Sequence, residues 1–163
     1  IVRRLDDCGR LSIPNEVRRR YHLKEGDPIE FGENPYSIEL RKYSPIEVFG
    51  DQPKAITYGF ADAIKLPVIL CDTYKVVASK NCTAYEGKYI SEELYHCMET
   101  ERTYDKAFSI MKECEVKASE IAWIESQSGV IGALIIPKKN SVITETHAEC
   151  LRVCANAIGL VVK

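Results

Sequence analysis

A two-part α+β protein is the fold class that this 163-residue sequence predicts, and three observations predict it. The first 43 residues alternate short β-like runs with turn residues. A junction marked by Ser44-Pro45 and Gly50-Asp51-Gln52-Pro53 follows. Beyond it, apolar runs of strand length are interleaved with stretches of helical period. With 45% hydrophobic and 28% charged residues, the composition is that of a globular protein and excludes disordered and collagen-like classes.

In the first part, residues 1–5 and 11–13 read as strands around Asp6-Asp7-Cys8-Gly9, where Gly9 can take positive φ and Asp can bond its own backbone. Pro14 suits the first position of a helix, because the N–H it lacks would be unpaired there, and Glu16 meets the positive end of the helix dipole. The helix is expected to run to about His22, with Val17 and Tyr21 on an inward face and Arg18, Arg19 and Arg20 over the rest. Residues 29–31 and 37–41 read as a second hairpin across Gly32-Glu33-Asn34-Pro35. A piece of this size buries little core by itself, so a partner chain is expected.

The second part is expected to open with a helix from Pro53, carrying Ile56, Phe60, Ala63 and Ile64 at helical spacing. Residues 68–71 and 76–78 read as strands, Ser91 as the N-cap of a helix with Glu92 and Glu93 in its first turn, and 107–111 as a further strand. Residues 120–125 and 130–136 flank Gln127-Ser128-Gly129 as a hairpin. From Thr144 a last helix places His147, Leu151, Cys154, Ile158 and Val161 on one stripe suited to another helix. The helix from Pro53 is its expected partner, and the two together, from two chains, form a dimer bundle.

Net charge is −2, without the basic bias that marks many nucleic-acid binders. The distribution is uneven. Residues 1–20 hold six arginines against Asp6, Asp7 and Glu16, a local +3, whereas the chain from Ser44 onward carries thirteen basic and sixteen acidic residues, a local −3. The seven cysteines (Cys8, Cys71, Cys82, Cys97, Cys114, Cys150 and Cys154) are scattered and read as reduced thiols in a cytoplasm. No apolar run approaches the roughly 18 residues that a membrane span needs.

The residues Ile1-Val2-Arg3-Arg4, Asp6-Asp7, Gly9-Arg10, Ile13-Pro14, Glu16, Arg18-Arg19, Glu25-Gly26-Asp27-Pro28-Ile29-Glu30 and the closing Leu40-Arg41-Lys42-Tyr43-Ser44-Pro45-Ile46 stand at fixed spacing. In them the segment resembles the N-terminal domain of the AbrB and SpoVT family of transcription regulators. The resemblance implies a swapped-hairpin β-barrel built by two chains. It also implies that arginines of the first strand, the following turn and the helix meet double-stranded DNA, here Arg3, Arg4, Arg10, Arg18 and Arg19. Arg20 extends the row by position. A guanidinium suits this work, because it offers a fixed charge and a planar donor fork to phosphates and guanine edges. Adjacent residues of a strand point to opposite faces, so one of Arg3 and Arg4 is a candidate to serve the dimer, or to pair with Asp6 or Asp7, instead.

The remainder resembles a GAF domain through Val68-Ile69-Leu70-Cys71-Asp72, Tyr89-Ile90-Ser91 and Gly132-Ala133-Leu134-Ile135-Ile136. That implies a sensing or oligomerising role, with an unidentified small-molecule effector; Tyr85, Tyr89, Trp123 and Glu125 are candidates to line such a pocket, with core packing the expected role of any one of them. The expected organisation is residues 1–45 as the swapped-hairpin DNA-binding domain, 46–52 as linker and 53–163 as the GAF-like domain. The expected function is a non-enzymatic regulator of sporulation or stationary-phase genes, working as a homodimer or tetramer without cofactor, metal or membrane.

Two other readings stand beside it. Because some GAF-type enzymes use cysteines to reduce methionine sulfoxide, one is a thiol enzyme of that kind. The other is an antitoxin, since related swapped-hairpin modules serve that role, although antitoxins usually append a disordered toxin-binding tail. His147, Cys150 and Cys154 share one helix at metal-ligand spacing, but a structural metal wants a fourth ligand and a second element, and packing is the expected role of these cysteines.

Overall fold

The computed structural model describes residues 1–100 and 103–162, in two compact units, Ile1–Tyr43 and Ser44–Lys163. Both mix helix and antiparallel sheet, as an α+β class requires.

The first unit holds α1 (Asn15–Arg20) and the hairpin of β1 (Ile29–Asn34) and β2 (Ser37–Lys42), paired from Ile29↔Lys42 to Asn34↔Ser37. The strands run further into the expected loop than the turn residues suggested, because the Asn34 side chain closes the turn itself: its Oδ1 accepts from the backbone N–H of Tyr36 and Ser37, at 2.9 and 3.0 Å. Pro14 is the N-cap of α1 rather than its first residue, with extended ψ of 147°. The helix stops at Arg20, and His22 takes a left-handed φ of 51°. Lys42 Nζ ties β2 to this helix end by donating to the His22 carbonyl while pairing with Asp27, each at 3.0 Å.

Residues 1–5 and 11–13, expected as strands, form no ladder within one chain. The turn between them is nonetheless built: Asp6 N–H donates to the Arg10 carbonyl, Gly9 N–H donates to the Asp6 carbonyl, and Gly9 adopts φ of 73°. No residue of the unit is buried. Val2, Phe31 and Ile38 are 86%, 72% and 71% exposed.

The second unit is a four-stranded antiparallel sheet of order β4-β3-β6-β5 with helices on both faces. Its strands are β3 (Val68–Asp72), β4 (Val76–Lys80), β5 (Ala118–Ser126) and β6 (Gly129–Pro137). Burial on both faces explains why β3 and β6 read as continuous apolar runs rather than alternating ones. On one face Val68, Leu70, Leu134 and Ile136 pack with Phe60, Leu151 and Ile158 of α3 (Asp51–Ile64) and α5 (Glu145–Val161). On the other, Ile69, Cys71, Ala133 and Ile135 pack with Leu94 and Met98 of α4 (Glu92–Thr100) and with Tyr104 and Ile110. Each fully buried Leu or Ile contributes about 1.5–3 kcal/mol, so this unit, unlike the first, has a core of its own.

The helix ends follow local chemistry. Thr144 caps α5 and His147 returns the bond, its Nδ1 accepting from the Thr144 N–H at 3.2 Å. Asn81 Nδ2 donates to the Ala61 and Leu66 carbonyls at 2.9 and 3.2 Å, which satisfies acceptors where α3 finishes. In α3 the inward positions are Pro53, Thr57, Phe60 and Ala61, and Ala63, expected inward, is exposed.

Two stretches differ from expectation. Residues 46–52, expected as linker, carry α2 (Pro45–Val48) and the first residues of α3, and Ile46 is fully buried. Residues 107–111 are not a strand: the Ser109 hydroxyl organises a loop by accepting from the N–H of Met111 and Val116, and the isolated bridge Ile90↔Met111 is what remains of strand character.

Candidate nucleic-acid interface

All six arginines of the sequence reading, Arg3, Arg4, Arg10, Arg18, Arg19 and Arg20, lie in the first unit and all are exposed. They occupy three settings: the extended N-terminal segment, the turn after it, and the last turn of α1. Arg3 Nη1 donates to the neighbouring Val2 carbonyl, at 3.2 Å. Arg18 Nη2 donates to Asn15 Oδ1 one helical turn back. With about 100° between successive residues of a helix, Arg18, Arg19 and Arg20 fan around α1 and do not share one direction: Arg19 lies opposite the half-buried Val17, and Arg20, three positions on, lies toward its side.

Arg10 is held differently. Asp6 Oδ2 accepts from Arg10 Nε at 2.9 Å, while Oδ1 accepts from the backbone N–H of Arg10 and of Cys8, at 2.8 and 3.0 Å. The carboxyl of Asp6 lies below its ordinary range, first because of the backbone bond from Arg10 and then because of its side chain. The guanidinium remains open to solvent, with the side chain 77% exposed. Asp6 therefore partners Arg10, and not Arg3 or Arg4 as strand geometry suggested. The sequence clue was present in the Asp-x-x-Gly-Arg order, but a four-residue separation signals a side-chain pair in a helix, and here it works because Gly9 folds the chain back.

The candidate pocket residues of the second unit do not converge. Tyr85 and Trp123 pack against the α4-side core, Tyr89 is 40% exposed with its ring 5.0 Å from that of Tyr74, and Glu125 is exposed at the far end of β5. The cysteines are free thiols. Burial pushes those of Cys71, Cys82 and Cys154 upward in pKa, away from the thiolate that nucleophilic or metal-binding chemistry needs. His147 uses its Nδ1 in the α5 cap, and no cluster of metal-ligating side chains occurs among the described residues. Among the same residues, no helix is long and apolar enough to cross a membrane.

Comparison with known proteins adds the family. Residues 2–47 match the family model described as antidote-toxin recognition MazE, bacterial antitoxin, which coincides with the first unit and α2. The chain is 31% identical to stage V sporulation protein T of Bacillus subtilis (strain 168) over 174 aligned residues, covering 98% of this chain and 94% of that protein. Similarity sustained through both units, together with an N-terminal unit of antidote type, places this chain in the AbrB/SpoVT family of transcription regulators, to which it belongs.

Proposed function

We propose that the protein is a sequence-specific DNA-binding regulator of sporulation or stationary-phase genes. It acts as a homodimer, or a tetramer of two such dimers. The observation that carries this reading is that the first unit buries none of its residues, while Leu5, Leu11 and Phe31 and the six arginines of residues 1–20 are all exposed. Exchange of hairpins between two copies, making one small barrel, supplies the missing ladder for residues 1–5 and 11–13. It covers Leu5, Leu11 and Phe31 and doubles the arginine surface. Arg3, Arg4, Arg10, Arg18, Arg19 and Arg20 then contact one duplex, most through phosphates and some through guanine edges.

The second unit is read as a GAF-like sensor and oligomerisation domain, with any effector taken on the α4 side of the sheet. The stripe of α5 that holds Leu151 and Ile158 packs within its own chain. A second stripe faces outward at alternating spacings of three and four: Cys150, Val153, Ala157 and Leu160, with Val153 and Leu160 about two-thirds exposed. Ala55, Gly59 and Ala63 are correspondingly small residues of α3 whose positions recur every four, of which Gly59 has open space around it. A helical bundle between two copies through these faces gives the tetramer.

The test is selection from a random duplex pool with the full-length protein. A recurring motif is expected, with binding that weakens as salt rises at a log–log slope of about −5 if a dimer neutralises about six phosphates. Recovery of no motif, with a flat salt dependence, contradicts the reading.

The match of residues 2–47 to an antitoxin family model favours one second reading, an antitoxin. Against it stands the core of the second unit, where a toxin-binding tail is expected to be disordered. Co-purification of a small toxic protein at fixed stoichiometry would support it.

A further inference from the structure

We infer that Asp6 is a positioning residue for DNA recognition, which aims the Arg10 guanidinium so that its two terminal Nη groups read a base edge, and that sequence selectivity depends on it. This rests on the DNA-binding reading above and deepens it. A carboxylate on a DNA-facing turn weakens attraction to phosphate, so its presence beside Arg10 calls for a use that a bare positive surface does not have.

The geometry supplies that use. Asp6 divides its two oxygens between two tasks: Oδ1 builds the turn by taking the N–H groups of Cys8 and Arg10, and Oδ2 takes Arg10 Nε. The Asp6 N–H donates to the Arg10 carbonyl at 3.0 Å, so backbone and side chain of the two residues are joined at three points. With Nε engaged, a side-on Nε and Nη approach to an acceptor pair is closed, and the end-on approach through Nη1 and Nη2 remains. That end matches guanine, whose O6 and N7 accept two donors in a plane. A flexible arginine reaches any phosphate nearby. One whose direction is set in advance loses less freedom on docking at a base that lies in that direction, and gains nothing at a base that does not. Depression of the Asp6 pKa by Arg10 is in keeping with a carboxylate that stays charged in this role.

Asp6→Asn separates positioning from turn-building and from bulk charge. The Asn carbonyl oxygen still accepts from Cys8 and Arg10 N–H, but its NH2 faces the Arg10 Nε–H, donor against donor. Loss of one negative charge per chain by itself tightens binding to every duplex. Positioning predicts the opposite sign for the selected motif. In the full-length variant, affinity for the motif is expected to fall about tenfold or more while affinity for random duplex holds or rises. In a cycle with Arg10→Ala, the double variant is expected to bind the motif no worse than Arg10→Ala alone, because both remove one interaction. Asp6→Ser, which keeps one short acceptor for the turn, serves if the Asn variant departs from the wild-type elution volume.

Asp6→Asn with an unchanged or improved ratio of motif to random binding overturns the inference, as do losses that add in the double variant. If wild type selects a motif and Arg10→Ala loses it while Asp6→Asn does not, positioning alone fails. A wild-type protein with no preferred duplex overturns positioning and the DNA-binding reading together.

Discussion

Ile46 occupies the space that Gly132 leaves open on the sheet. A Cβ at position 132 would lie 2.5 Å from Ile46 Cδ1 and 2.2 Å from the Cys71 carbonyl oxygen. Gly132 sits in β6 opposite Asp72 at the end of β3, so the absent side chain lets α2 settle on the sheet two residues after the second unit begins. Gly132→Ala has to displace backbone as well as Ile46 and is expected to lower the stability of the second unit by about 1–3 kcal/mol or more. Thermal or urea melts check this, and a wild-type midpoint counts against tight seating of Ile46.

Asp72 is the charged side chain buried at this same corner. Its Oδ1 accepts from the N–H of Tyr74 and Lys75, each at 2.7 Å, and the Ser44 hydroxyl that caps α2 also bonds it. Burial raises its pKa in spite of those bonds. Since the folded value exceeds the unfolded one, the folded state binds the proton better. The stability contribution is greatest below the unfolded value and is lost as pH rises through the folded one. Asp72→Asn keeps the two backbone acceptor contacts without the buried charge and is expected to flatten this pH dependence, melting at or above wild type near pH 7. Asp72→Ala strands the two N–H groups and is expected to cost about 1–3 kcal/mol. Melts of the three proteins across pH 4–8 decide between these outcomes.

The open apolar surface of the first unit bears on assembly. Leu5 and Leu11 are 66% and 49% exposed in one chain. If hairpin exchange covers them, Leu5→Asp with Leu11→Asp is expected to break the N-terminal pairing and to abolish DNA binding, with the second unit's melt preserved. Sedimentation velocity reads the change in mass. A wild-type sedimentation pattern argues that these side chains stay in solvent.

Assembly through the second unit is tested separately. Val153→Glu with Leu160→Glu places two charges on the outward stripe of α5 without touching its buried side. The expected result is loss of the tetramer, retention of the dimer and weaker binding only at duplexes that carry two copies of the motif. A tetramer that survives both charges excludes this face of α5 as the interface.

Legibility in the sequence followed the range of the interactions concerned. β3, β6 and α5 were readable because long apolar runs and a Thr144 cap are local signals. The single turn of α2 is too short to show a period, and only Ser44-Pro45 hinted at it. Residues 107–111 looked like a strand because Phe108, Ile110 and Met111 have β character, yet the bonds of Ser109 bend the segment into a loop. Residues 1–5 and 11–13 have strand composition without a strand partner in their own chain. At the candidate interface the six arginines were visible as charge. The tie of Asp6 to Arg10 was not, because it depends on the positive φ of Gly9 bringing the two side chains back together.

The central claim, that paired N-terminal units hold a duplex through their arginines, is tested most directly by one gel-shift experiment. Wild type and the Arg10→Ala, Arg18→Ala double variant are titrated against the selected motif, after size exclusion has shown equal elution. The expected result is a retarded band for wild type that the variant fails to give at any protein concentration tested. An undiminished shift from a variant of wild-type size would contradict the claim.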